Sequence, residues 1–221
     1  MKEIYGKIDE ILINEERPSF ELNKMLVDEE LDMEPFKVLS KLKDIPQELK
    51  YHPEGNVWNH VMLVIDRGAS YKKYSKDQRR FMWSLLLHDI GKISTTKLRK
   101  GRITSYDHDK VGKEMVLEFF SYFQEEESFV KEVASLVRWH MQALFVTNGL
   151  PFADINSMIK EVDLKDITLI SICDRLGRGR LDDEKVNKTY EVIQNFVDIV
   201  SSKGNLKGFN IYEEFNINTF M

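Results

Sequence analysis

Apolar residues recur at helical spacing along almost the whole chain. Ile4, Ile8, Ile11 and Leu12 form one stripe, and Phe20, Leu22, Met25, Leu26 and Leu31 a second. Phe36, Leu39 and Leu42 form a third, which Ile45-Pro46 should stop, because a residue before proline is pushed out of the helical region. The polar turn His52-Pro53-Glu54-Gly55 follows. Asn56 can then cap a helix from Val57 to about Tyr71, with Val57, Val61, Val64, Ile65 and Gly68 on its apolar face. The stretch from about Asp77 to His88 is apolar on nearly every side, the pattern of a central, buried helix. Gly91 is expected to terminate it. Residues 92–107 read as a loop rich in Lys, Arg, Ser and Thr, with Lys100-Gly101 as a weak hairpin signal. Helices are expected again near 109–123, 127–140, 154–162 (capped by Asp154), 165–176 and 182–203, the last ending at Gly204. The tail 205–221 carries Phe209, Ile211, Phe215, Ile217 and Phe220, and reads either as a packed extension or as a strand for a partner. The predicted fold class is all-α: a helical bundle over 51–204, a helical preface over 1–50 and a C-terminal extension over 205–221.

Composition narrows the possibilities. The 221 residues are 42% hydrophobic and 11% aromatic with a net charge of −5, which supplies a core and excludes general disorder. No run of 18 apolar residues occurs, so no membrane span is expected. Met1 to Glu16 places three acids before Ile11 and has no small-residue cleavage site, so no secretory signal is expected. The single cysteine, Cys173, excludes an internal disulfide framework and a thiolate zinc cluster, and points to a reducing cytoplasm. A pI near 5.7 argues against broad coating of nucleic acid. A local basic patch is still available at Lys97-Leu98-Arg99-Lys100-Gly101-Arg102, as a guide for an anionic substrate or simply as a solvated loop.

The candidate chemistry lies in the histidines, of which there are only five. His60 sits early on one predicted helix, His108 opens another, and His140 ends a third. His88 ends the most apolar helix and is followed directly by Asp89. Asp174 lies inside the apolar run Ile167–Leu176, where an unpaired carboxylate is costly. Each has an ordinary reading alone. His60 can be a hydrogen-bonded helix residue, His140 a cation suited to a helix C-terminus, and Asp174 a partner of Arg175 or Arg178. His88-Asp89 is harder to dismiss, since two metal-competent groups end a buried element. Imidazoles and carboxylates together suit borderline divalent metals, and a bundle core is a place where facing helices can assemble them.

The ordered set His60, His88-Asp89, His108, His140 and Asp174 resembles the H…HD…D signature of the HD superfamily of metal-dependent phosphohydrolases. The segment His52-Pro53-Glu54-Gly55-Asn56-Val57-Trp58-Asn59-His60 looks like the opening of the HD domain attached to bacterial CCA-adding tRNA nucleotidyltransferases. Asp174-Arg175-Leu176-Gly177-Arg178-Gly179 looks like its last motif. The likeness covers roughly residues 35–182. Asp107 stands where that group has glycine, and Cys173 where it has alanine. Nothing before residue 50 resembles the nucleotidyltransferase phosphate loop or its paired aspartates, so CCA addition is not expected.

The resemblance implies an HD bundle with a metal site in its core. His60, His88, Asp89 and Asp174 would hold a divalent metal (Mn, Ni, Co, Fe, Mg or Zn), one or two ions in all. Asp89 would also orient or deprotonate the attacking water, and Lys92 would offset phosphate charge. His108 and His140 would bind a second ion, contact phosphate or protonate the leaving oxygen. Arg178 would reach the phosphate or Asp174, with Arg180 two residues beyond. The implied activity is hydrolysis of phosphomonoesters or 2′,3′-cyclic phosphodiesters of nucleotides or RNA ends. Two other readings stand beside it: a di-iron oxygenase of a small molecule, and a catalytically silent nucleotide-binding module. His52 is expected to be structural.

Overall fold

The computed structural model describes residues 1–179 and 181–217. The chain is a helical bundle with one small hairpin. Two helices open it, α1 (Lys2–Asn14) and α2 (Pro18–Val27), and α3 (Lys37–Ser40) runs into a 3-10 turn over Lys41–Asp44. Ile45-Pro46 ends this run as the sequence predicts. Phe20, assigned to the apolar stripe of α2, is instead 71% exposed, because that short helix turns Pro18, Ser19, Leu22 and Met25 inward and leaves Phe20 on its outer face.

The bundle proper is built on α4 (Val57–Tyr71) and α5 (Gln78–Leu87). Asn56 caps α4, its Oδ1 accepting from the Asn59 N–H at 2.8 Å, and Asp77 caps α5 by accepting from the Arg80 N–H at 3.0 Å. Every residue of α5 from Phe81 to Leu87 is buried, so this helix is the axis of the core. Each large apolar side chain buried there contributes about 1.5–3 kcal/mol. After the hairpin come α7 (His108–Phe120) and α8 (Glu127–Trp139), which pack on each other, with α8 also against α5. Then follow α9 (Gln142–Thr147), α10 (Ile155–Glu161), α11 (Leu164–Leu176) and α12 (Asp183–Gly204). α11 lies against α4 and α5.

One apolar core runs from Tyr5 to Phe215. Asp9 joins α1 to α5, its Oδ1 2.7 Å from both Arg79 Nε and Trp83 Nε1. Asn23 Oδ1 accepts from Trp58 Nε1 at 2.8 Å and joins α2 to α4. The tail, for which the sequence allows packing or a partner strand, packs through residue 217. Its short helix α13 (Ile211–Glu214) is pinned where Gln194 Oε1 accepts from the Ile211 N–H at 2.9 Å, and Ile211 and Phe215 are buried. Phe220 lies outside the described residues. No helix among the described residues is long and apolar enough to cross a membrane.

Three local differences from the sequence reading matter for the site. First, α5 stops at Leu87, and Gly91 is not its left-handed cap but opens α6 (Lys92–Thr95) at φ −64°. Its lack of a side chain is needed for packing: a Cβ there would lie 2.1 Å from the His108 carbonyl oxygen and 2.7 Å from the Gly112 nitrogen. Second, the region read mainly as a loop holds α6 and an antiparallel hairpin, β1 (Thr96–Arg99) and β2 (Arg102–Ser105), turning at Lys100-Gly101. Third, α9 has no counterpart in the sequence reading.

Candidate metal centre

Four helix boundaries deliver the histidines. His60 sits one turn into α4 behind its Asn56 cap, His88 follows the last residue of α5, His108 begins α7 and His140 follows α8. Asp174 projects from the last turn of α11. All five, together with Asp89, are buried. Asp107, before His108, has φ +59°. Glycine adopts that left-handed conformation freely and aspartate tolerates it. The substitution noted in the sequence therefore keeps the turn that aims His108.

The side chains meet in two clusters that share Asp89. His60 Nε2 lies 3.1 Å from Asp174 Oδ1 and 3.4 Å from His88 Nε2. His108 Nε2 lies 3.2 Å from His140 Nε2. Asp89 stands between the pairs. Its Oδ2 is 3.7 Å from His60 Nε2 and 3.4 Å from His88 Nε2, while its Oδ1 is 3.4 Å from His108 Nε2 and 3.8 Å from His140 Nε2. In each of the triads His60–His88–Asp174 and Asp89–His108–His140, the candidate ligand atoms lie within 4.8 Å of one another.

The other ring nitrogens show what these groups are set up to hold. Nδ1 of His88 faces the Leu85 carbonyl at 2.7 Å, Nδ1 of His108 the Ser105 carbonyl at 2.7 Å, and Nδ1 of His140 the Val137 carbonyl at 2.6 Å. Nδ1 of His60 faces Glu54 Oε1 at 3.0 Å and the Gly177 carbonyl at 3.2 Å. These partners only accept, so each Nδ1 carries the proton, and each Nε2 presents a lone pair, that of His60 once it has given up the proton that Asp174 favours. Two pairs of lone pairs then face each other in a buried space beside carboxylates. That donor set fits a divalent cation, which would be drawn to all of them at once.

The electrostatics agree. Burial opposes charge on Asp89, but Lys92 above all, then His88 and His108, hold its carboxyl well below the usual range. Burial likewise opposes charge on Asp174, and Arg178 and His60 hold it low. His108 is pushed down to about 3, chiefly by burial, and His140 is lowered for the same leading reason. His60 behaves differently. Burial works against its charge, yet the hydrogen bonds to Asp174 and Glu54 raise its proton affinity.

Lys92 is buried, with Nζ 2.7 Å from both Asp89 Oδ2 and Gln47 Oε1. Arg178 Nη2 donates to both oxygens of Asp174, at 3.1 and 3.0 Å. It does so although α11 ends before it. Gly177 brings the chain so close to α4 that a Cβ would lie 2.4 Å from Val64 Cγ2, and this approach also presents the Gly177 carbonyl to His60. Arg180 lies outside the described residues. The site opens into a cleft of about 460 Å³, with the exposed Tyr51 and Tyr106 among its lining residues.

Two supporting residues escaped the sequence reading. Glu54 Oε1 faces both His52 Nδ1, at 2.9 Å, and His60 Nδ1, and these contacts help hold its carboxyl at about 2 against the burial that would raise it. The available signal was an acid in the turn just before the cap of a ligand-bearing helix. Gln47, which receives Lys92, had no local signal. His52 pairs with Glu54 and sets its ring edge-on to His60 at 4.8 Å between centroids.

Comparison with known proteins places this geometry. The HD domain profile matches residues 57–179, more than half of the chain. The chain is also similar to proteins named Multifunctional CCA protein. That of Actinobacillus pleuropneumoniae serotype 5b (strain L20) is 32% identical over 62 residues, 28% of this chain and 15% of the relative. That of Alkalilimnicola ehrlichii is 29% identical over 106 residues, 48% of this chain and 24% of the relative. That of Azoarcus sp. (strain BH72) is 37% identical over 57 residues, 26% of this chain and 13% of the relative. The chain thus spans less than a quarter of the length of each of these relatives.

Proposed function

This chain belongs to the HD domain family, a family of metal-dependent phosphohydrolases, and on that premise we propose that it hydrolyses phosphomonoesters or 2′,3′-cyclic phosphodiesters of nucleotides or RNA ends at a two-ion centre. The observation that carries the reading is the placement of Asp89, one oxygen toward His60 and His88 and the other toward His108 and His140. His60, His88 and Asp174 would hold one ion, His108 and His140 the other, with Asp89 between them. Two-ion hydrolases hold their metals about 3.5–4 Å apart, which a bridging carboxylate can span. When bound, divalent cations acidify water and polarise a phosphoryl oxygen.

The remaining roles follow from the chain's own groups. Asp89 is ionised and orients the attacking water as an acceptor. Lys92, fixed beside it, offsets charge that develops on the phosphate. Arg178 keeps Asp174 anionic and lines the cleft, where it can meet a phosphate oxygen. These two cations favour phosphate over an uncharged oxygenase substrate. The likeness to CCA proteins covers only a fraction of them, so nucleotide addition is not carried over.

Elemental analysis of the purified protein, with a screen of 2′,3′-cAMP, 2′-AMP and p-nitrophenyl phosphate against Mn, Ni, Co, Fe, Mg and Zn, tests this. Two ions per chain and metal-dependent release of phosphate, or opening of the cyclic phosphate, are expected. Silence with every metal overturns the reading.

A further inference from the structure

Beside the catalytic cleft runs a second groove of about 450 Å³. Lys50, Arg175, Arg178, Lys185 and Lys188 line it together with Tyr51, and among the described residues no carboxylate does. The cations come from three places: the segment before α4, the end of α11 and the first turns of α12. The fold brings these three places together. In a chain of net charge −5 this is a local reversal of sign.

Two of the five cations are partly committed, Arg178 to Asp174 at 3.0 Å and Lys185 to Asp182 at 2.8 Å. Among the described residues, Lys50, Arg175 and Lys188 make no ion pair. Arg175 is half-buried, so its charge is partly removed from water, and no carboxylate among the described residues is in ion-pair contact with it. The acids that open α12, Asp182 to Glu184, do not line the groove. Like charges gathered on one concave wall repel one another, and a polyanion relieves that repulsion.

The groove adjoins the catalytic cleft, since Tyr51 and Arg178 line both. Tyr51 is 59% exposed, and Lys50 Nζ lies 5.4 Å from its ring centroid. An aromatic surface beside cations, between a phosphate-cleaving centre and a basic groove, suits alternating phosphates and bases. We propose that this groove binds the backbone of a single-stranded nucleic acid whose terminal phosphate lies in the metal centre, with a base near the end stacked on Tyr51. The proposal rests on the hydrolytic reading for the terminal phosphate. The groove itself can be tested without turnover.

The probe is a fluorescein-labelled single-stranded RNA of about eight nucleotides with a 3′-phosphate, followed by anisotropy. The K50E/K188E double variant should bind it at least about tenfold more weakly. Its salt dependence should be shallower, by ~0.7 in log–log slope for each phosphate that the groove no longer neutralises. Tyr51→Ala should weaken binding at least about fivefold, as removal of a stacking ring does. Lys24→Glu, an equal change of charge on α2, should not move the affinity. In turnover, K50E/K188E should lower the ratio of kcat/KM for the RNA to that for p-nitrophenyl phosphate by about tenfold or more, in step with its binding. Unchanged RNA binding by K50E/K188E overturns the proposal, as does competition by polyglutamate as strong as that by unlabelled RNA, which would reassign the groove to acidic protein. If p-nitrophenyl phosphate is hydrolysed and the ratio does not move, the groove fails and the hydrolytic reading stands. If RNA binds through the lysines but no phosphate is released with any metal, the hydrolytic reading fails and the groove stands.

Discussion

The two halves of the candidate metal centre offer similar donor groups but are supported in different ways. On one side His60 and His88 meet Asp174. Glu54 braces His60 from behind, and Arg178 braces Asp174. On the other side His108 and His140 meet only Asp89, and their outer nitrogens rest on the backbone carbonyls of Ser105 and Val137. The first half is rich in charge and braced by side chains. The second is neutral apart from Asp89, and backbone at the ends of β2 and α8 fixes its rings. A cation gains more from ionised ligands than from neutral ones, so the first half should be the tighter site and the second the more exchangeable.

The largest test is Asp89→Ala, because Asp89 faces both halves. Metal content should fall to near zero and turnover with it. Retention of a full ion would break the idea of a shared carboxylate. Next come Asp174→Ala and His140→Ala, one from each half. His140→Ala should keep one tightly held ion per chain. Asp174→Ala should lose that tight ion and also expose the uncompensated charge of Arg178, so its thermal midpoint should fall as well. Elemental analysis after dialysis reads the first effect and calorimetry the second. A tight ion surviving in Asp174→Ala but not in His140→Ala would invert the comparison.

Why the sequence marked the candidate ligands but not their support follows from where each residue lies. His88-Asp89 stands out because it ends a helix that is apolar on nearly every side, and His60, His108 and His140 because histidine is rare and each falls near a predicted helix end. Regular periodicity also marked α4, α5, α7, α8 and α10 to α12, with ends shifted by a few residues. α9 did not show, because six residues give less than two turns of pattern, and it is held from outside: Gln142 Oε1 accepts from the Asp154 N–H at 2.9 Å. Gly91 read as a cap because glycine after a helix usually is one. Its packing against His108 and Gly112 depends on a helix far along the chain. Gln47 reaches Lys92 from a segment whose local pattern says nothing about that pairing. The candidate ligands sit at positions local rules can mark, whereas their buttresses depend on tertiary packing.

Glu54→Gln sharpens the comparison without removing a ligand. It keeps the shape, but the braced face of His60 loses its carboxylate charge. Such outer partners are worth about 10–100-fold in metal affinity. The tight site alone should weaken by that factor, and the second ion should be unaffected. No equivalent single substitution exists on the other side, where carbonyls do the bracing. Competition titration with a metal indicator resolves the two steps. Equal weakening of both ions would mean that Glu54 acts through the fold rather than through His60.

Protons provide the smallest test. His60 has its proton affinity raised above the ordinary histidine value of 6.5 by Asp174 and Glu54, against the opposing effect of burial. In the metal-free protein its proton therefore adds stability that is fully present below pH 6.5 and is lost as pH rises through the raised value. That proton must leave before an ion can enter. Affinity at this half should climb by up to about tenfold per pH unit and level off only above the raised value. His108 is pushed down to about 3, so it stays neutral through mild acid; the metal-free fold instead loses stability as pH falls below the unfolded histidine value toward 3. At that half no proton competes near neutrality, and affinity should stay nearly flat from about pH 6.5 to 8. Calorimetric titration with one divalent metal across that range should show one steep step and one flat step, and Glu54→Gln should bring the onset of the plateau to lower pH. Two steps of equal slope would show that the halves titrate as one unit, and the contrast between side-chain and backbone support would then have no bearing on loading.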